Sequence, residues 1–257
     1  MLIDTTVHLP VSLAMLDGIF KAPDVHELAR ITFRWFHFVA GITWIGLLYF
    51  FNLINIPFMK ELDPATKSKI MPSLMLRALL WFRVSAVVTV LAGLAYWGSI
   101  VGSDARNAGA APTTPLVSFL VVWTLTWGLM YVLLLPGKGI LDKGWVLAIL
   151  YIVIVAHSAH LFLHWNSQGW ESNRLLAIGI GGGIGWMMML SVWGIIWRIQ
   201  KRLIAWTKAN AENGTPMPEE SKRMARMAFL ASRTNFYLSF PLLFFMGAAS
   251  HYPMFGG

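Results

Sequence analysis

Residues 144–165 read GWVLAILYIVIVAHSAHLFLHW. The stretch contains no Asp, Glu, Lys or Arg, and its length suffices for a helix to cross a hydrocarbon core roughly 30 Å thick. A helix this apolar on every side belongs in a bilayer or a large core. It also carries His157, His160 and His164 in the pattern H-x-x-H-x-x-x-H. At helical spacing these imidazoles share one face. Imidazoles are costly in a bilayer and usually mark a cofactor, a proton path or a metal.

The same texture recurs along the chain. Of 257 residues, 57% are hydrophobic and only 12% charged, too few charges for an ordinary soluble domain. The pattern predicts an all-α, polytopic transmembrane bundle in one domain over 1–257. Its six spans are expected at about 31–56, 75–101, 114–135, 144–165, 174–200 and 228–251. Residues 1–30 form an outer segment with a short interfacial helix over 11–20. Asp4, His8, Asp17 and Asp24 argue against a cleavable signal peptide. With no cysteine, thiolate metal sites, iron–sulfur clusters and covalently attached haem are excluded.

Lysine and arginine orient the spans. Lys60, Lys67 and Lys69, then Lys138 and Lys143, then Lys201, Arg202, Lys208, Lys222, Arg223 and Arg226 occupy alternate breaks. The positive-inside rule makes these breaks cytoplasmic, with 201–226 a basic loop and both termini outside a bacterial inner membrane. The net charge of +8 is then a matter of topology, and nothing resembles a nucleic-acid module. On this topology His37, His157, His160, His164 and His251 gather at the outer face.

A haem b held between helices needs an imidazole on the iron, small residues beside the ring and a cation for its propionates. His37, followed by Ala40 and Gly41, the glycines at 179, 181, 182, 183 and 185, and Arg34 supply these ingredients. The glycines equally suit close helix packing. Depth favours His37 and His160 as an axial pair, with His157 as substitute and His251 serving a second haem. Copper or zinc on two of His157, His160 and His164, with His37 or His251, is the competing reading, and a cofactor-free structural subunit whose histidines only hydrogen-bond between helices is the third. Arg83 could meet a quinone or substrate head group, whereas Arg77 and Arg233 read as snorkelling residues. No nucleophile–base pair is evident, so a catalytic residue is not assigned.

Three segments resemble the membrane domain of bacterial membrane-bound urate oxidases (urate hydroxylases): R-W-F-H-F-V-A-G-I-T-W-I-G at 34–46, G-G-G-I-G-W-M-M-M at 181–189, and N-F-Y-L-S-F-P-L-L-F-F-M at 235–246 followed by S-H-Y-P at 250–253. They stand in the family's order over most of the chain. Gly179 or a neighbour, and Thr234, stand where the family pattern carries histidines, whereas His37 and His251 match it. The resemblance implies a helical membrane domain, haem binding, and urate oxidation coupled to a c-type cytochrome. That cytochrome is fused in the family; here it is expected as a separate partner or redox subunit, because the sequence ends at Gly257.

Overall fold

The computed structural model describes residues 23–135 and 139–255. The interfacial helix expected at 11–20, His8 and Lys138 lie outside these residues. Among the described residues the chain is all-α, with no strand. The helices are α1 (Val25–Tyr49), α2 (Ile56–Glu61), α3 (Pro64–Ala108), α4 (Thr113–Leu134), α5 (Gly144–Trp165), α6 (Asn173–Ser191), α7 (Trp197–Asn213) and α8 (Ser221–Ala248). A π-helical turn at Phe50–Asn55 joins α1 to α2, and another at Val192–Ile196 joins α6 to α7. Five continuous helices are long and apolar enough to cross a membrane: Val25–Glu61, Ala65–Ala108, Thr113–Leu134, Gly144–Trp165 and Asn173–Asn213. The sixth expected crossing corresponds to α8. Its 28 residues are enough to cross, but it carries Lys222, Arg223, Arg226 and Arg233 in its first half. The protein is a multi-pass membrane helix bundle.

Several helices run well past the predicted spans. Hydropathy marks the part of a helix that sits in lipid, whereas capping decides where the helix stops. Asp24 opens α1 with a capping box, its carboxylate accepting from the Glu27 amide while Glu27 accepts from the Asp24 amide. Asp63 opens α3 by accepting from the amides of Ala65 and Thr66. Gly109 and Gly214 close α3 and α7 at φ 65° and 66°, a left-handed conformation that suits glycine. The 45 residues of α3 extend for about 67 Å, over twice the hydrocarbon thickness. Its Pro64 end, which carries Lys67 and Lys69, extends past the expected span together with α7 and the start of α8 as a basic projection. The expected basic loop at 201–226 is therefore corrected: it is helical to Asn213 and again from Ser221. Lys208 and Glu212 support that projection with an i,i+4 pair 3.8 Å apart.

Side-chain pairings establish the packing. α1 runs antiparallel to α3: Arg30 donates to the Ser103 hydroxyl, His37 meets Thr89, and Asn55 lies against Met75. α3 is antiparallel to α6, with Trp97 Nε1 donating to the Leu175 carbonyl and Trp193 Nε1 to the Arg83 carbonyl. α6 is antiparallel to α8, where Asn235 donates to the Met188 carbonyl and Asn173 to the Ala249 carbonyl. α4 and α5 form a hairpin fastened by Thr126 to Ser158 (2.7 Å), Tyr151 to the Met130 carbonyl (2.7 Å) and Asn166 to Ser118 (3.0 Å). In a lipid setting such bonds contribute about 0.6 kcal/mol each.

The glycine run of α6 explains how the hairpin joins the other helices. A Cβ at Gly179 would lie 2.4 Å from the Phe162 ring, and one at Gly183 would lie 2.0 Å from the Trp123 ring. Those two glycines receive aromatic rings from α5 and α4. A Cβ at Gly181 would meet Phe245 at 3.0 Å, and one at Gly185 would meet Leu242 at 3.3 Å. These admit α8 on the other side. Met187 and Met188 are buried packing residues.

Candidate functional site

At the end of the bundle opposite the basic projection, α1, α3, α6 and α8, with Phe119 of α4, line a partly open cavity of about 560 Å³. The size falls among pockets for cofactors and drug-sized ligands, roughly 300–1,000 Å³. Its walls are mostly apolar and include Trp44, Phe119, Leu242 and Met246. Gly41, Gly93, Gly181, Gly182 and Gly185 also line it. His37, Arg34 and His251 supply the functional polar side chains predicted from sequence.

His37 is held in place by groups on α3. Its Nδ1 lies 2.7 Å from the Thr89 carbonyl oxygen, which can only accept, so Nδ1 carries the proton and donates. That tautomer leaves Nε2 as the ring's free lone pair. Gly93, one turn from Thr89, makes the arrangement possible: a Cβ there would lie 2.7 Å from Nδ1 and 2.9 Å from Cε1 of His37. A histidine whose far nitrogen donates to a backbone carbonyl has the usual preparation of a metal ligand. Trp44, on the same cavity wall, is 1% exposed, and its ring N–H has no acceptor in the structure.

The mouth of the cavity is polar. Arg34 is exposed at the rim, with its guanidinium carbon 5.7 Å from the Phe38 ring centroid. His251 borders both this cavity and a shallow recess formed with Asp104, Ser172, Asn173, Arg174 and Tyr252. Ser172 donates its hydroxyl to Asp104 at 2.5 Å. Asn173 ties down the segment around His251. Its amide donates to the carbonyls of Ala249 and Tyr252, and its oxygen accepts from the amides of Met254 and Phe255.

The antiparallel pairings bring the ends of α1, α5 and α8 bearing His37, His157, His160, His164 and His251 to one end of the bundle. Shared depth does not bring them into one site. His37 and His251 line the cavity, whereas His157, His160 and His164 are exposed on α5. The expected His37–His160 pairing across one ring is not assembled. The aromatic face of α5 turns inward, with Phe162 against Gly179, and this rotation carries the histidines outward. Among the described residues no group of three or more His, Cys, Asp or Glu side chains is gathered to hold a metal ion.

Away from the cavity, Arg83 is half-buried and stacks 3.7 Å from the centroid of Trp197, a cation–π contact that anchors it. Arg233 lies against Phe229 and Phe236, and Arg77 is exposed. Sequence reasoning missed Thr89, Gly93 and Trp44. A hydroxyl residue and a glycine four apart on one helix face were the available signal for the first two.

The family profile described as Urate oxidase N-terminal matches residues 23–257. The chain belongs to that family. The match spans every helix that lines the cavity and the whole α4–α5 hairpin. No curated protein matches the chain, and no solved structure does.

Proposed function

We propose that the cavity binds haem b through His37 and that the domain exchanges electrons at this end with a c-type cytochrome or another redox subunit. The observation carrying this reading is the His37 ring, tethered through Nδ1 to Thr89 and seated over Gly93 in an apolar cavity of cofactor size. The donor set fits the group. Nε2 is a neutral nitrogen donor suited to iron, the walls are largely apolar, and Gly46 on α1 and Gly247 on α8 have open space beside them for a flat ring. His251 or Met246, which also line the cavity, would help His37 hold the group.

The bound group supplies one-electron redox chemistry in a site of low polarity. The protein's own residues do the rest. The Thr89 carbonyl holds the His37 tautomer and makes Nε2 more basic. Arg34 places a positive charge at the rim, where ring carboxylates would emerge. Trp44 offers an unpartnered N–H within the wall. By the positive-inside rule the basic projection faces the cytoplasm and the cavity faces outward across a bacterial inner membrane. A pyridine haemochrome assay on the purified, folded chain tests the reading: protohaem is expected, and its absence overturns it.

The polar recess beside His251 favours a second reading, in which the same site oxidises a small polar molecule such as urate. Arg174 and the Asp104 carboxylate give such a molecule hydrogen-bonding partners next to the cavity, held there beside Ser172 and Asn173. Haem-loaded membranes should then consume urate with an oxidised c-type cytochrome as acceptor. No turnover with a competent acceptor removes this reading and leaves electron transfer.

A further inference from the structure

The α5 histidines have no role in the cavity, yet they stand on an otherwise apolar helix. His157, His160 and His164 are all exposed, and none of the three imidazoles has a hydrogen-bond partner among the described residues. Around them the exposed face carries Ile149, Ile152, Val153 and Trp165. Lipid tails cannot satisfy an imidazole, so a row of three is an unfavourable surface unless something coordinates or hydrogen-bonds it.

His160 and His164 are one helical turn apart, and α5 ends at Trp165. Their rings are nearly parallel, 21° between planes, with centroids 6.5 Å apart. Two nitrogens on one ion, each at about 2.0–2.1 Å, lie within roughly 4 Å of each other. Side-chain rotation of two facing rings can close that difference without moving the backbone. The i,i+4 spacing is the one through which a single helix presents two imidazoles to one metal. His157 stands i+7 from His164, so it is two turns away and cannot share an ion with it on a straight helix. Ser167 donates its hydroxyl to the His164 carbonyl, pinning the helix end just after the pair. At this last turn the aqueous phase can deliver an ion and supply the remaining ligands.

We propose that His160 and His164 form a two-imidazole site for a divalent transition metal, Cu(II) or Zn(II), on the outer turn of α5. Neutral nitrogen donors select these ions over magnesium or calcium. The site is separate from the His37 cavity and does not rest on haem binding.

The test uses the full chain, free of any histidine tag, in detergent or nanodiscs and titrated with Cu(II) or Zn(II). One ion should bind per chain, and the Cu(II) paramagnetic resonance spectrum should show coupling to two nitrogens. His160→Ala and His164→Ala should each weaken binding by about tenfold or more, whereas His157→Ala should change it by less than about threefold. Mg(II) should not compete. Haem content and melting temperature measured on the same samples report folding and cavity occupancy independently. Loss of metal affinity with those two unchanged supports the site. Absence of binding in the folded wild type overturns it, as does unchanged affinity in the His160→Ala/His164→Ala double variant.

Discussion

His37 and His160 make an instructive pair. Each lies in an apolar helix at the same end of the bundle, and each looks equally fit to hold a cofactor. His37 is half-buried, its Nδ1 tied to Thr89 and its ring seated over Gly93. His160 is exposed, and its ring lies against that of His164. The difference comes from the neighbours. α1 meets in α3 a helix with a carbonyl and a gap at the right height, whereas α5 turns Ser158 and Phe162 inward to seat on α4 and α6. Depth in a membrane is a one-dimensional property, but a site also needs rotation about each helix axis.

The largest expected effect separates these two histidines. His37→Ala should abolish protohaem in the purified protein, while His160→Ala should leave the Soret band intact. A lost band in the second variant with an intact band in the first would invert the comparison. Gly93→Ala probes the same contact more gently. The added Cβ would collide with the His37 ring, and overpacking of this kind costs about 1–3 kcal/mol. Haem affinity or the Soret position should change in this variant. Gly183→Ala, whose Cβ would strike Trp123 on the hairpin side, should instead lower the melting temperature by a similar free energy and spare the haem spectrum. Equal spectral effects from both glycine substitutions would erase the distinction between site and scaffold.

These outcomes bear on how much of the site was legible in the chain. Arg34, His37 and His251 were readable as cavity residues because polar groups at the ends of apolar spans are few. The α6 glycines were readable as places of close approach. Their division of labour was not, because a glycine does not reveal which neighbour fills its space: Gly179 and Gly183 admit aromatic rings, while Gly181 and Gly185 admit α8. Thr89 and Gly93 went unnoticed because a threonine and a glycine are ordinary in an apolar helix until a histidine lies opposite.

A smaller effect tests the hairpin itself. Thr126→Val would remove the hydroxyl that donates to Ser158 and should destabilise the α4–α5 contact by about 0.6 kcal/mol. Thermal unfolding in the same detergent measures it, with the haem spectrum again unchanged. The smallest effect lies at the far, basic end. The hydroxyl of Thr66 and the amides of Thr66 and Ala65 hold the Asp63 carboxyl below its ordinary value. A depressed folded value means the cap stabilises above pH 3.8 and is lost as pH falls through the lowered value. Amide exchange at the start of α3 should therefore quicken under that acid shift, and Asp63→Ala should remove the dependence without touching the cavity.

The sequence alone determined that the chain is helical and crosses a membrane several times, because uninterrupted apolar length and the placement of charge are properties of the chain itself. It also determined the end at which the histidines collect, since alternating spans follow from the order of apolar and basic segments. Only the tertiary structure decided which histidines share a cavity and how far the helices run beyond the apolar spans. Helix rotation depends on how facing surfaces interlock, and helix ends depend on caps that hydropathy does not register. Both are settled by contacts between residues far apart in the chain or by local backbone geometry, and neither can be read from the spacing of one residue type.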